Sequence, residues 1–242
     1  DRVGPLCRYV EDCALVMHEI TRPDGRDLSV ADVPFSWDAK RDVRTLRVGY
    51  LAEAFDEITD ATARLDNDKL LEQIRSLGVT LTAVKVPDFL TDLPALRIES
   101  AAFFDELIRS GRDVQIRNRD RVNGMRAMRV VPGVEYLQAQ RARTLLMMQL
   151  AEATQDIDVY FGPISVDWQA VASMGACTLR HFTAANLATY PALAVPSGFT
   201  AAGMPQSVTV FARPFGETEL LVFGKAFEEV ARAHLRMPVL RS

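Results

Sequence analysis

The order of apolar and polar residues predicts alternating helices and strands along the chain. A first helix is expected from about residue 9 to residue 20, where apolar side chains recur at the spacing of one buried stripe: Val10, Cys13, Ala14 and Met17. Pro23 and Gly25 then break the helical pattern, and residues 21–43 are typical of a polar surface loop.

A strand–helix–strand unit is predicted over residues 45–87. Residues 46–50 alternate as a strand does, and the following helix carries Leu70, Ile74 and Leu77 on one face. Gly78 stands where the end of a helix favours a left-handed residue, and a second alternating strand follows it. Such a crossover is right-handed when its two strands are parallel, so a βαβ unit is expected here.

Residues 92–156 are predicted to be mainly helical. Asp92 and Pro94 are typical of a helix start, and Gly111 of a helix end. A long helix is expected from about Val134. Leu137, Leu145 and Met148 are expected on the face of this helix that points inward. Arg141 and Arg143 are expected on its solvated face.

The last third of the chain predicts strands at residues 157–161, 192–195 and 208–211, and a helix from Thr218. The buried face of that helix is expected to hold Leu220, Phe223, Phe227 and Val230. The first two strands are apolar runs without polar alternation, as expected where both faces of a sheet are covered. The alternation of elements predicts an α/β fold, with residues 1–242 in a single domain that has no internal boundary.

Composition narrows the classes of function. The 242 residues carry a net charge of -4, so the chain lacks the positive electrostatic field that would attract nucleic-acid phosphates. No apolar run approaches the ~20 residues of a membrane-spanning helix, and no signal peptide opens the chain. We therefore expect neither a nucleic-acid partner nor a membrane. The start at Asp1, without an initiator Met, indicates a truncated piece of a longer protein.

The cysteines are Cys7, Cys13 and Cys177, an odd number with neither disulfide nor metal spacing. They are predicted to be buried, unreactive thiols of a protein in the reducing cytoplasm. Paired metal-binding histidines, a phosphate-binding loop and a nucleophile elbow are all missing from the sequence. No metal and no cofactor are therefore expected.

Several segments resemble, in order, those of amidase-signature enzymes. Residues 3–8 and 10–12 are similar to the family's VGPMAR-x-VED segment, and residues 46–51 to the strand that follows it. The other matching segments are residues 182–187, similar to the FT-x-x-AN-L block, and residues 190–199, 203–205 and 213–215. Order and spacing match over essentially the whole chain, so it is identified as the C-terminal half of such an enzyme.

The resemblance implies the C-terminal portion of an α/β/α sandwich, with a mixed, partly parallel sheet covered by helices. It also implies hydrolysis of a carboxamide C–N bond by a Ser–cis-Ser–Lys triad, which in the family lies upstream of the segment matched by residues 3–8. The Gly/Ser-rich loop of that upstream region has no counterpart in this sequence. No catalytic residue is therefore assigned to this chain, and the chain alone is expected to be inactive.

The resemblance implies that this half of the enzyme forms one wall of the substrate pocket. The matching positions are Gly162, Pro163 and Ser165 after the strand at 157–161, and Arg180, His181 and Asn186 before the strand at 192–195. Both segments are also consistent with ordinary connections. Asn186, in particular, is consistent with a residue that holds the turn before the next strand.

Two positions depart from the family. Thr189 stands where the family commonly has Gly, which indicates a different local turn, and Leu179 stands where the A subunits of glutamyl-tRNA amidotransferases carry an Asp. The second departure favours a stand-alone amidase with an unknown small-molecule amide substrate. The alternatives are a chain similar to the A subunits of glutamyl/aspartyl-tRNA amidotransferases and a non-catalytic α/β binding module. The expected partners are the N-terminal half of the same enzyme and a second copy in a homodimer.

Overall fold

The structure, a computed structural model, describes residues 4–28, 30–86, 93–164 and 176–237. Its strands are β1 (Val48–Tyr50), β2 (Leu81–Ala83), β3 (Val159–Phe161), β4 (Ala192–Phe199) and β5 (Pro205–Ala212). Its helices are α1 (Val10–Ile20), α2 (Ala52–Asp56), α3 (Ala61–Arg75), α4 (Ala95–Phe103), α5 (Asp105–Arg109), α6 (Arg119–Met128), α7 (Gly133–Ala153), α8 (Ala176–Leu187) and α9 (Glu217–Ala231). Short 3-10 turns lie at Val43–Thr45, Arg112–Gln115 and Ala233–Leu235.

The five strands form one sheet in the order β2-β1-β3-β5-β4. β1 pairs in parallel with both β2 and β3, whereas β5 pairs antiparallel with β3 and with β4. The mixed, partly parallel sheet is therefore confirmed. So is the parallel strand pair predicted over residues 45–87, in which Val48 lies beside Leu81.

Helices cover both faces of the sheet around β3. Successive residues of a strand face opposite sides, so Tyr160 joins the core under α7 and α8 whereas Phe161 joins the core under α3 and α9. This burial on both sides confirms what the apolar run at 157–161 predicted. Gly49 permits close packing next to Tyr160, because a Cβ at Gly49 would lie only 3.1 Å from the Cβ of Tyr160.

The inward face predicted for α7 is wrong. Leu137, Leu145 and Met148 are 61%, 62% and 64% exposed, and the buried side chains of this helix are Ala139, Leu146 and Leu150. The helix carries two apolar stripes on opposite sides, and helical spacing alone does not indicate which stripe meets the core. Neither this helix nor any other in the described ranges is long and apolar enough to cross a bilayer.

The two arginines of α7 also differ from each other. Arg141 is exposed, as predicted. Arg143 is not on the solvated face, because its Nε donates a hydrogen bond to the backbone carbonyl oxygen of Leu187 at 2.7 Å. That bond satisfies one of the carbonyls that the end of α8 would otherwise leave without a partner. Arg143 therefore ties α7 to α8.

Two predictions for the last third of the chain need correction. β4 does not stop at Val195 but continues through Pro196 to Phe199, with an irregularity in the pairing between Pro196 and Gly198. Pro196 is tolerated because β4 is the last strand of the described sheet, where a missing N–H breaks no ladder on its outer side. Val230 is 41% exposed, because it lies in the last turn of α9, beyond the buried Phe223 and Phe227.

Candidate functional site at the carboxyl edge of the parallel strands

The carboxyl ends of β1 and β3 lie side by side. Because the two strands are parallel, the residues that follow them emerge at the same edge of the sheet. The N–H of Leu51, after β1, donates to the carbonyl of Phe161 at 3.0 Å. A Cβ at Gly162 would lie 3.5 Å from Cδ1 of Leu51. The predicted loop after β3 therefore begins directly against the start of α2.

A side chain of α3 fixes this loop. Asn67 is buried, and its Oδ1 accepts a hydrogen bond from the N–H of Ile164 at 2.8 Å. Its Nδ2 donates to the carbonyl of Ala63, which sets the orientation of the amide. Gly162 and Pro163 are also buried. Ser165, the third residue predicted for the loop, lies outside the described residues.

α8 reaches the same edge through two carboxylates, one on α2 and one on the residue that caps its C-terminal end. The guanidinium of Arg180 lies 3.5 Å from Oε1 of Glu53, in an ion pair whose side chains are 31% and 50% exposed. The carboxylate of Glu57 accepts the backbone N–H of Cys177 at 3.0 Å and 3.2 Å. A carboxylate on the first N–H groups of a helix is favoured by the helix dipole, so Glu57 anchors the start of α8.

His181, the neighbour of Arg180, does not reach this edge. It is 1% exposed and lies between the rings of Tyr160 and Phe211, with centroid distances of 5.2 Å and 4.9 Å. Burial lowers the pKa of His181 to about 4, so the ring is neutral near pH 7. Both ring nitrogens lack a hydrogen-bond partner among the described residues. The residue is therefore packed in the core between α8 and the sheet.

Asn186 lies away from the edge as well. It is exposed and belongs to the last turn of α8 rather than to a turn before β4. Its carbonyl accepts the N–H of Thr189 at 3.3 Å, in the turn that ends the helix. Of the predicted pocket residues in the described ranges, Gly162 therefore lies against the start of α2 and Arg180 pairs with a side chain of α2, whereas His181 and Asn186 lie elsewhere.

The turn after α8 contains a left-handed residue. Thr189 has φ +62°, in the region that glycine enters most readily. Thr189 adopts a conformation suited to Gly and carries the steric strain of a β-branched side chain.

Sequence reasoning missed Glu53 and Glu57. Glu53 lies on α2 and Glu57 is the residue that caps its C-terminal end, and the spacing of four residues places the two side chains on one helical face. The signal was therefore present, but it becomes informative only when α8, far away in sequence, is seen to meet that face. Groups of His, Cys, Asp and Glu suited to a metal ion are absent from the described residues.

The prediction that all three cysteines are buried is wrong for one of them. Cys13 and Cys177 are buried, but Cys7 is exposed. Burial, followed by the nearby carboxylates of Glu53 and Glu57, raises the pKa of Cys177 to about 11. Cys177 is therefore a protonated thiol near pH 7, and it offers no ready nucleophile at the edge.

Comparison with protein families matches residues 1–221 to the family described as Amidase. Among curated proteins, the chain is similar to the A subunit of the glutamyl-tRNA(Gln) amidotransferase of Myxococcus xanthus (strain DK1622), with 30% identity over 94% of this chain and 54% of the relative. The corresponding protein of Roseiflexus sp. (strain RS-1) is 29% identical over 99% of this chain and 56% of the relative. The chain thus spans about half the length of the curated relatives it matches.

Solved structures share the fold. An amidase family protein from Bacillus anthracis str. Ames superposes with a TM-score of 0.71 at 18% identity, over 97% of this chain and 49% of that one. A bacterial aryl acylamidase of the amidase-signature enzymes superposes with a TM-score of 0.70 at 15% identity, over 98% of this chain and 55% of that one. At these identities the likeness concerns the arrangement of helices and strands.

Proposed function

This chain belongs to the amidase-signature family, and on that basis we propose that it is part of an amidase that hydrolyses a carboxamide C–N bond. Its proposed contribution is the C-terminal part of the fold and one wall of the substrate pocket. The observation that carries the proposal is that Gly162 lies against Leu51, directly before α2, and that Arg180 pairs with Glu53 of α2. That point is the carboxyl edge of the parallel strands, where open α/β sheets commonly bind their ligands.

The proposed chemistry uses residues upstream of this chain. A neutral lysine takes a proton through a bridging serine, and the serine nucleophile attacks the amide carbonyl. Backbone N–H groups stabilise the oxyanion, the amine leaves with a proton, and water then releases the acid from the acyl-enzyme. Two side chains of this chain fit poorly as substitutes, since Cys177 holds its proton and His181 is enclosed by aromatic rings. This supports an upstream nucleophile.

Arg180 is the proposed polar element of the pocket wall. Its pairing with Glu53 holds the guanidinium at the edge without enclosing it, because about a third of the side chain stays exposed. A guanidinium donates several hydrogen bonds in a fixed plane and so orients a planar amide or carboxylate. We propose that Arg180 contributes to substrate choice and not to bond cleavage.

The N-terminal half of the same enzyme is the proposed partner. Two features support it: the outer side of β4, at the end of the described sheet, and the exposed apolar stripe of α7 with Leu137, Leu145 and Met148. Unpaired strand edges and contiguous apolar surfaces are commonly covered in stable proteins. We also propose a cytoplasmic location, consistent with free cysteines among the described residues.

The test is reconstitution of activity from two separately purified parts. We expect no turnover of small aryl or aliphatic amides by the 242-residue chain alone, and turnover when the upstream half is supplied. Without the nucleophile and oxyanion donors, nearly all of the typical acceleration of at least about 10⁶-fold is lost. Steady turnover by the chain alone, above a mock purification, would overturn the proposal.

A function in amide transfer, like that of the A subunits of tRNA amidotransferases, is the second candidate, and the names of the curated relatives favour it. The aliphatic Leu179 weighs against it, because an acidic group at that position suits an aminoacyl ammonium. Amide transfer to glutamyl-tRNA(Gln) by the complete protein would identify this function. Inactivity of the complete protein towards every amide, with or without transfer RNA, would instead favour a non-catalytic binding module.

A further inference from the structure

Two carboxylates beside α2 contact two points on α8 that are one helical turn apart. Glu57, which caps the C-terminal end of α2, accepts the backbone N–H of Cys177 with both oxygens, at 3.0 Å and 3.2 Å. Glu53, one turn earlier, lies 3.5 Å from the guanidinium of Arg180. Four residues of a helix rise about 6 Å and three residues about 4.5 Å, so the two contacts are spaced similarly on both helices.

We propose that Glu57 is a positioning residue for substrate selection, because it holds the start of α8 and so determines where Arg180 stands at the pocket wall. This inference rests on the proposed function, since it concerns how the same amidase pocket recognises its substrate. Glu57 acts through α8, and neither substrate contact nor bond cleavage is assigned to it.

The contact satisfies a backbone group at the start of α8. The first N–H groups of a helix have no acceptor within the helix, and Cys177 is the second residue of α8. The carboxylate of Glu57 supplies that acceptor, and its negative charge is favoured by the helix dipole. Removing it should loosen the first turn of α8, and Arg180 follows within the next turn.

The support on which Glu57 stands is itself fixed to the sheet. The N–H of Glu57 donates to the carbonyl of Glu53 at 3.0 Å, at the end of α2. At the other end of α2, the N–H of Leu51 donates to the carbonyl of Phe161 in β3 at 3.0 Å. A chain of backbone contacts therefore runs from β3 through α2 to Glu57, and the last contact passes to α8.

The ion pair with Glu53 does not fix Arg180 by itself. Both side chains are partly exposed, and a single exposed pair is weak and leaves a helix free to tilt about it. The far end of α8 is held separately, since Arg143 donates to the carbonyl of Leu187 at 2.7 Å. Loss of Glu57 should therefore release only the end of α8 that carries Arg180, and the effect should stay local.

The first test compares Glu57→Ala and Glu57→Gln in the complete enzyme, with one charged and one neutral amide as competing substrates. Glu57→Ala should change the ratio of their kcat/KM values by about fivefold, mainly through KM, because the guanidinium is displaced and the cleaving residues are untouched. Gln keeps a carbonyl oxygen that accepts an N–H, so Glu57→Gln should stay within about twofold of the wild type.

A double variant tests whether Glu57 acts through Arg180. In the Arg180→Ala background, Glu57→Ala should change the ratio by less than about 1.5-fold, because the side chain that it positions is gone. Asn118→Ala is the matched control, since Asn118 caps α6 by accepting the N–H of Arg121 at 2.9 Å. Both cap removals should lower the melting temperature by about 3 °C, but Asn118→Ala should leave the ratio unchanged.

Hydrogen–deuterium exchange adds a measurement that does not need turnover. The peptide containing Cys177 and Arg180 should lose protection in Glu57→Ala and keep it in Glu57→Gln. Unchanged protection in Glu57→Ala, an unchanged ratio with a lower melting temperature, or the same change of ratio with and without Arg180 would each overturn the inference. A wild-type complete enzyme that cleaves no amide would instead overturn the proposed function, and this separates the two failures.

Discussion

Arg180 of α8 and Glu53 of α2 form an ion pair, with Nη2 3.5 Å from Oε1, across the carboxyl edge of the parallel strands. Both side chains are partly exposed, and pairs of this kind contribute only about 0.2–1 kcal/mol to folding. The pair therefore contributes little to stability. Its main effect is to fix where a positively charged side chain stands relative to the start of α2.

We predict that Arg180→Ala in the complete enzyme changes substrate preference more than stability. Loss of a charged donor at the pocket wall should alter the ratio of kcat/KM between two competing amides by about tenfold, which corresponds to about 1.4 kcal/mol. The free energy of unfolding should change by about 1 kcal/mol or less. Steady-state kinetics on a panel of neutral and charged amides, with urea titration, measures both quantities.

Arg141→Ala is the matched control for this prediction, because Arg141 is also exposed but lies on the outer side of α7. It should alter neither the preference nor the stability. A large fall in melting temperature for Arg180→Ala, with unchanged relative rates, would show that Arg180 serves the fold alone.

A second prediction concerns the pH dependence of folding. Burial lowers the pKa of His181 to about 4 from an ordinary value of 6.5, so between these two values the unfolded state binds a proton that the folded state does not. Stability should therefore fall as the pH falls from 6.5 to 4. The loss attributable to His181 should be about 3 kcal/mol, with little further change below pH 4.

Replacing His181 with Phe tests this contribution, since an aromatic ring of similar shape fits between Tyr160 and Phe211. The variant should lose the pH-dependent part of the unfolding free energy that belongs to His181. Identical curves for the wild type and His181→Phe between pH 4 and 6.5 would show that the ring is not held neutral by burial.

Arg180 and His181 also show what sequence can and cannot predict. The resemblance directed attention to this segment, and the strands at 157–161 and 192–195 followed from their apolar runs. Which of two adjacent residues faces the edge depends on the rotation of α8, which packing against Tyr160 and Glu53 determines. The same ambiguity made the α7 prediction wrong, because a helix with two apolar stripes fits a core on either side.

The left-handed turn after α8 gives a third prediction. Thr189→Gly removes the strain of a β-branched residue at φ +62° and should stabilise the protein by about 1 kcal/mol, after the greater flexibility of the unfolded chain is counted. Ala188→Gly is the control. Ala188 is outside the left-handed region, so its replacement with Gly should lower the free energy of unfolding. Chemical denaturation measures both changes, and equal destabilisation in the two variants would contradict the idea of strain at Thr189.

The last prediction compares two neighbouring leucines of α7. Leu146 is 3% exposed and belongs to the core under α8, so Leu146→Ala should destabilise the protein by roughly 3 kcal/mol. Leu145 is 62% exposed, so Leu145→Ala should change the unfolding free energy of the 242-residue chain by only about 0.5 kcal/mol. The difference between the two variants in urea titration measures which stripe of the helix meets the core.

The exposed stripe should also control association. The row of apolar side chains on α7 and the outer side of β4, at the end of the described sheet, both promote aggregation of the chain expressed without its upstream half. Replacing Leu145 and Met148 together with Gln removes part of that surface and leaves the core untouched. The soluble fraction of the chain should therefore rise, as centrifugation and size-exclusion chromatography will measure. A monodisperse monomer with one cooperative melt in the unmodified chain would show that it is an autonomous domain, and that neither the stripe nor the edge needs cover.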